Sequence, residues 1–225
     1  MSEVLSPGTF VASALPATLA IFPLSGSILL PGAQLPLNIF EARYKSMIEY
    51  ALGHDRLLGL IQSTTPDTQQ TKLPSLYKVG CVGRIISFNE TDDGRFMIAL
   101  TGVCRFAVAE EFPAIHPWRH IRSDWSAYLG DLKPPLPILI DRTRLMNVLR
   151  PYLRDEGIRL DMEVVDKTPD DVLIAALVMI CPLEPNEKQA LLEAQTPQAR
   201  ADLLIALLEM ATMPLQDKSD GGAKH

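Results

Sequence analysis

The sequence predicts an α+β protein: a small β-barrel followed by a bundle of α-helices. Three observations carry this. Roughly the first 130 residues are short apolar runs punctuated by Gly and Pro, the signature of strands and turns. From Ile138 onward, apolar residues recur at helical spacing. Between the two lies Lys133-Pro134-Pro135, where the pattern changes and a linker is expected.

Leu19 to Leu24 reads as a strand that Pro23 confines to an edge or a break. Pro31-Gly32 marks a turn. Gln34 to Ile39 is a second strand, its pairing limited by Pro36. Glu41 to Leu52 (EARYKSMIEYAL) is a helix, because Tyr44, Met47, Ile48 and Leu52 share a face and Gly53 stands at the C-cap. Leu57 to Gln62 is a buried strand, and the polar stretch Ser63 to Pro74 predicts a mobile surface loop. Val79 to Asn89 and Arg95 to Thr101 pair around Asp92-Asp93-Gly94, where the D-G step supplies the positive φ of a tight turn. Gly102 permits a bend or bulge before a further strand, Val103 to Ala109, and one more is expected around Trp118 to Tyr128. Short, mostly antiparallel strands with one early helix suit a small closed barrel.

The helical part opens with Ile138 to Glu156, where Leu145, Leu149, Tyr152 and Leu153 form one side and Pro151 predicts a kink or an early end. Thr168-Pro169-Asp170-Asp171 reads as a helix start with Thr168 as N-cap; that helix runs to about Ile180 and stops at Pro182. Asn186 is expected to cap a short helix through Ala194. Thr196-Pro197 opens the last one, ending near Met210. The expected organisation is a flexible segment 1–18, a barrel domain 19–133, a helical domain 134–214 and a disordered tail 215–225, with no internal repeat.

Composition narrows the function. Apolar residues make up 47% and charged residues 21% of the 225, as in an ordinary globular protein. Acidic residues outnumber basic ones, 27 to 21, for a net charge of −6, which disfavours binding driven by phosphate neutralisation. Cys81, Cys104 and Cys181 form no CxxC pair, so a reducing compartment fits and neither a disulfide framework nor a zinc knuckle is expected. The N-terminus lacks a basic signal-peptide region, and the longest apolar run, Val172 to Ile180, is too short to span a bilayer. A soluble, cytoplasmic protein without a membrane partner is expected.

No residue set for catalysis stands out. GxSxG is absent, and His54, His116, His120 and His225 are scattered. His116 and His120 have the spacing of metal ligands on a helix. Pro113 and Pro117 argue instead for a solvated loop, and no carboxylate or thiol completes a set. Asp92-Asp93 and Asp170-Asp171 read as turn and helix-start residues. Neither a metal nor a cofactor is expected.

Three blocks carry a family resemblance. IFPLSGSILLPGAQLPLNIFEARYKSMIEYAL contains Pro23-Leu24, Pro31-Gly32 and Pro36-Leu37, then Phe40, Glu41, Arg43 and Tyr44. VGCVGRIISFNETDDGRFMIALTGVCRF contains the turn Asp93, Gly94, Arg95 and the exit Gly102 to Arg105. PLEPNEKQALLEAQTPQARADLLIALL contains Lys188-Gln189, Leu191-Leu192-Glu193 and Arg200. Together they resemble the N-terminal, substrate-recognising domain of Lon proteases. The resemblance implies a PUA-like β-barrel, a helical bundle, and a role in recognising unfolded or damaged polypeptides or a Lon-type protease. Lon proteases also carry an ATPase module and a serine–lysine peptidase module. This sequence has no GxxxxGK[ST] phosphate loop, and Gly80, Gly83, Gly94 and Gly102 sit in strand and hairpin context, so a non-catalytic binding domain is expected. Phe40, Glu41, Arg43 and Tyr44 are expected to be structural: Phe40 and Tyr44 anchor the helix to the barrel while Arg43 pairs with a barrel carboxylate.

The expected peptide groove lies at the junction of barrel and bundle. Its candidates are Phe112, Trp118, Trp125 and Tyr128, with Arg119 and Arg122 beside them, since recognition surfaces favour aromatics and Arg. The alternative function is RNA binding, as in other PUA-like barrels, along Arg84, Arg95 and Arg105.

Overall fold

Alternation along the first strand decides the architecture. In β1 (Thr18–Pro23), Leu19 and Ile21 point one way and Ala20 and Phe22 the other, and all four are buried. Such a strand needs apolar partners on both faces. The computed structural model, which describes residues 10–64, 74–134 and 137–213, supplies them. It continues with β2 (Gln34–Ile39), α1 (Ala42–Leu52), β3 (Leu57–Ser63), β4 (Leu76–Glu90), β5 (Phe96–Glu111) and β6 (Arg119–Asp124). Then come α2 (Arg142–Asp155), α3 (Met162–Lys167), α4 (Asp170–Ile180), α5 (Pro185–Glu193) and α6 (Pro197–Thr212). The class is α+β, as expected.

The sheet order is β2-β5-β4-β3-β1-β6. β6 pairs with β1 through Thr18–Ile21 and with β5 through residues 107–111, so β1, β3, β4, β5 and β6 close into a ring. β1 and β3 run parallel, and the other pairs are antiparallel. β4 and β5 are long enough to leave the ring. Their far halves form an arm with β2, which pairs with residues 96–101 of β5.

Leu19, Ile21, Leu57, Ile61, Val82, Cys104, Phe106 and Ile121 fill the ring. Phe106 occupies the space because Gly80 has no side chain: a Cβ there would lie 2.6 Å from its ring. The outer faces of the strands join a second cluster with α1 and the later helices, from Phe22, Met47 and Leu60 to Leu145, Leu177 and Leu204. Sheet and helices therefore share one continuous apolar core. Among the described residues no helix is long and apolar enough to cross a membrane.

Several expected boundaries shift, each for a local reason. The two strands expected on either side of Gly102 are one, β5. Val82 pairs with Cys104 and Gly83 with Gly102, so Val103 is the extra residue of a bulge and the chain stays in the sheet. α2 begins at Arg142, with the Asp141 carboxylate accepting from the Arg144 N–H, and it runs through Pro151. Burial of Tyr152 and Leu153 beyond the proline offsets the lost backbone bond. α3 is an element the sequence reading lacked. It also explains why Thr168 does not cap α4: its hydroxyl donates to the Val164 carbonyl, 2.7 Å, at the end of α3. α5 is capped by Glu184 rather than Asn186, with Glu187 accepting from the Glu184 N–H, 2.9 Å. Thr196 caps α6 as expected, accepting from the Ala199 N–H, and that helix extends to Thr212.

Of the segment expected to be flexible, residues 1–9 lie outside the described residues. Phe10 and Leu15 pack against the ring cluster. Most of the loop read from Ser63 to Pro74, residues 135–136 of the expected linker, and the expected tail also lie outside them.

The tightest approach in the sheet is at Gly102, where a Cβ would lie 2.0 Å from the Leu30 carbonyl oxygen. That obstacle is backbone and cannot rotate away. Gly102→Ala should cost at least about 2 kcal/mol in chemical denaturation, while Gly130→Ala, which meets open space, should stay within about 0.5 kcal/mol.

Candidate peptide-binding surface

One buried arginine sets the geometry between barrel and helices. Arg105 leaves β5 two residues past its bulge and reaches Asp131 in the turn after β6, with Nε and Nη2 each donating at 2.8 Å. Its Nη1 donates to the carbonyls of Leu192 and Ala194, at 3.0 and 2.7 Å, at the C-terminal end of α5. Burial alone would lower its pKa, but the hydrogen bond and charge of Asp131 hold it above the ordinary value. Around this clamp α5 is tied further: Gln189 donates to the Val79 carbonyl, Gln62 to Gln189, and Lys188 to the Gly26 carbonyl. Arg200 donates to the Leu191 carbonyl; burial, and then the charge of Arg105, bring its pKa down to about 10.

The thiols sit in environments that suppress nucleophilicity. Burial, with the charge of Asp131 second, pushes Cys104 up to about 12, and burial pushes Cys81 beyond that. Cys181 is raised to about 11, again chiefly by burial. All three stay protonated at neutral pH. Among the described residues no group of three His, Cys, Asp or Glu converges on a metal position.

A surface cluster of rings is the most conspicuous feature outside the core. His116 stacks on Trp118 with centroids 4.6 Å apart and planes 4° from parallel. Tyr50 of α1 lies 5.6 Å from Trp118 and 4.1 Å from His54, and His120 lies 5.1 Å from His116. The floor, Trp118, is buried and continuous with the apolar core, and its Nε1 has no partner among the described residues. The rim is open: Tyr50 is 38% exposed and Ile115 86%. His116 lies in an exposed loop, as expected, whereas His120 departs from that expectation: it lies within β6 and is half-buried.

Residues 18–210 match the family model described as the ATP-dependent protease La (LON) substrate-binding domain.

The chain belongs to that family. It is 29% identical over 194 residues to Lon protease 2 of Sorangium cellulosum, covering 84% of this chain and 24% of that protein. It is 26% identical over 238 residues to Lon protease 2 of Myxococcus xanthus, covering 97% and 27%. This Lon-type domain therefore spans about a quarter of the length of those relatives. Its fold is similar to the crystal structure of a Lon N-terminal domain protein from Xanthomonas campestris. There the TM-score is 0.58 at 23% identity, over 88% of this chain and 99% of that one. The N-terminal domain of Mycobacterium avium complex Lon protease gives 0.56 at 16% identity, over 85% and 98%.

Within the Lon-type domain, the residues that carry the resemblance lie in different places. The Lys188, Gln189 and Arg200 block forms the clamp around α5. Asp93 pairs with Arg95 at 2.9 Å across a turn in which Gly94 has φ 74°. The first block differs from expectation. Arg43 pairs with Glu41, 2.8 Å away, rather than with a barrel carboxylate, because both side chains face solvent at the start of α1. Tyr44 anchors the helix with its ring 4.3 Å from Phe22, while Phe40 points outward and is 68% exposed.

The six residues expected to line one groove are divided. Trp118 belongs to the outer cluster. Trp125 and Tyr128 pack against the ring cluster, Trp125 Nε1 donating to the Pro16 carbonyl and Tyr128 lying 4.7 Å under Arg105. Arg119 donates to both Glu111 oxygens and to the Pro74 carbonyl. Arg122 pairs with Glu110 and lies over Phe112, 5.8 Å away. Both arginines brace β5 against β6. Nor do the arginines of the RNA alternative form a free stripe: Arg105 is buried in its ion pair, Arg95 holds Asp93, and Arg84 sits over Phe10.

The sequence reading missed Tyr50, His54, Ile115, His116 and His120. A signal existed for some of them. Positions 116, 118 and 120 alternate on the approach to and start of β6, and Tyr50 and His54 are four apart across the C-terminal end of α1.

Two measurements check this geometry. Arg105→Met strands the Asp131 carboxylate and should cost about 3–5 kcal/mol in urea unfolding; Arg105→Lys should restore only part, since a point charge cannot serve all four acceptors. Burial, then the charge of His116, holds His120 below its ordinary pKa. The folded state thus favours neutral His120, and the unfolded chain binds the proton first. The contribution is complete above the unfolded value near ~6.5 and is lost as pH falls through it toward the folded value. Melting midpoints should fall from about pH 7.5 to about 5.5, and His120→Gln should flatten the fall. An unchanged slope would assign it to other groups.

Proposed function

We propose that this chain is a non-enzymatic polypeptide-binding module that captures unfolded or damaged chains in the cytoplasm, as an adaptor to a Lon-type protease or as a holder. The observation that carries the reading is the ring cluster of Tyr50, His116, Trp118 and His120 with Ile115 at its rim. An apolar aromatic floor continuous with the core is rigid and is already dehydrated on its inner side. An incoming side chain therefore gains burial with little ordering cost. Membership of the Lon substrate-binding family supports the class of partner.

The best test avoids Trp118 and Trp125, because both are packed and their loss would lower stability as well as binding. Tyr50→Ala with Ile115→Ser removes the exposed rim alone. Fluorescently labelled casein should bind the double variant about 5- to 30-fold more weakly, with the melting midpoint shifted by no more than about 2 °C. Unchanged affinity moves the surface elsewhere. Casein should remain intact with or without ATP, and a cleavage rate that follows the purified protein through a further column would refute the non-enzymatic reading.

A further inference from the structure

β4 outlasts its neighbour. β3 pairs with it no further than Arg84, and the last link on that side is the Ile85 N–H to the Arg56 carbonyl, 2.9 Å. From Ile86 to Glu90, β4 has β5 on one side and no strand on the other among the described residues, and all five residues are exposed. The hairpin fixes which backbone groups are free. Thr91 N–H donates to the Arg95 carbonyl, so that pair is hydrogen-bonded. Alternation along an antiparallel ladder then turns Asn89 and Ser87 toward β5, and it turns the N–H and C=O of Phe88 and Glu90 outward.

The other edge of the same arm is interrupted by a proline; this one has only a bulge at Ile86, where the register against β5 shifts, and is regular from Ser87 to Glu90. β2 carries Pro36, which has no N–H to offer an incoming strand. Ile86–Glu90 carries no proline and no lysine, and it presents Ile86 and Phe88 at 49% and 42% exposure. Charge adds direction. Glu90 and Asp92 stand at the hairpin end, Arg56 and Arg84 at the other. A strand lying here meets carboxylates at one end and guanidinium groups at the other.

We propose that the free edge of β4 from Ile86 to Glu90 accepts an extended polypeptide segment as an added strand. The segment is rich in β-branched residues, with a basic residue toward the hairpin and an acidic one toward Arg84. Main-chain bonds to Phe88 and Glu90 supply affinity independent of sequence, while Ile86 and Phe88 select apolar side chains at alternate positions. The inference rests on the polypeptide-binding reading and names a form of client: one that is extended, with its own backbone unpaired.

The test is an anisotropy titration of the full chain with a labelled octapeptide, Lys-Lys-Val-Thr-Val-Thr-Val-Glu, and with the same peptide N-methylated at alternate residues. Labelled casein is titrated in parallel. The plain peptide should bind, and the methylated one should bind at least about tenfold more weakly, because methylation removes the donors and leaves the side chains. Phe88→Pro, whose lost N–H points away from β5, should weaken the plain peptide by about the same factor, while Phe88→Thr should cost only about two- to fivefold. The methylated peptide needs no variant, so a misfolded Phe88→Pro leaves the test intact. Equal affinity for the two peptides overturns strand addition. Capture of casein with indifference to the octapeptide overturns it while the polypeptide-binding reading stands; binding of neither sinks both. Dimerisation that Phe88→Pro abolishes would make a second copy the occupant. Peptide binding that appears only after deletion of residues 1–9 would assign the edge to the chain itself. Either result overturns the proposal.

Discussion

The guanidinium of Arg105 is the centre of the polar joint between barrel and helices. From β5 it reaches the turn after β6 and the end of α5 together. A helix C-terminus presents unpaired carbonyls and a partial negative charge, and a planar cation with five donors is suited to such an end. The cost of burying that cation is met only if each partner stays in place. Asp131 and the α5 carbonyls therefore constrain one another although 26 residues separate Arg105 from Asp131 and 87 from Leu192. The polar bonds from Lys188, Gln189 and Gln62 make the joint directional, which apolar packing alone would not.

That rigidity matters for the ring cluster. Trp118 belongs to the apolar core, and Tyr50 reaches it from α1, so the proposed recognition surface is the outer skin of the packing that folds the protein. Substitutions there divide sharply. Floor residues report on stability and rim residues on binding, and treating the aromatics as one class would confuse the two.

Much of this was legible in the sequence, and the failures have physical causes. The period change after residue 133 separated strands from helices, and Thr196-Pro197 gave α6 its start because cap and first turn are local. Thr168-Pro169 misled because the threonine is spent on the preceding helix, whose six residues carry too weak a pattern to register. Gly102 was read as a bend or bulge between two strands; the bulge is there, but whether the chain stays in the sheet through it is decided only by the partner strand. The closed ring was expected from strand number, but which strand closes it was not. In the candidate surface, Pro113 and Pro117 marked the loop that holds His116, but not that β6 begins at Arg119 and takes in His120. The meeting of Tyr50 with Trp118 joins residues far apart in the chain and has no local signature. Phe40 shows the opposite error, since a bulky aromatic in a recognisable motif invites a buried role and this one faces water.

The closing strand has a consequence for how the chain comes off the ribosome. β6 pairs Ala20 with His120, so β1 waits for about a hundred further residues before one of its two neighbours exists, and non-local pairings of this kind form slowly. Throughout that interval the nascent chain displays open strands that could pair with other nascent chains. If the proposed role holds, a catcher of unfinished polypeptides passes through the same vulnerable condition during its own synthesis.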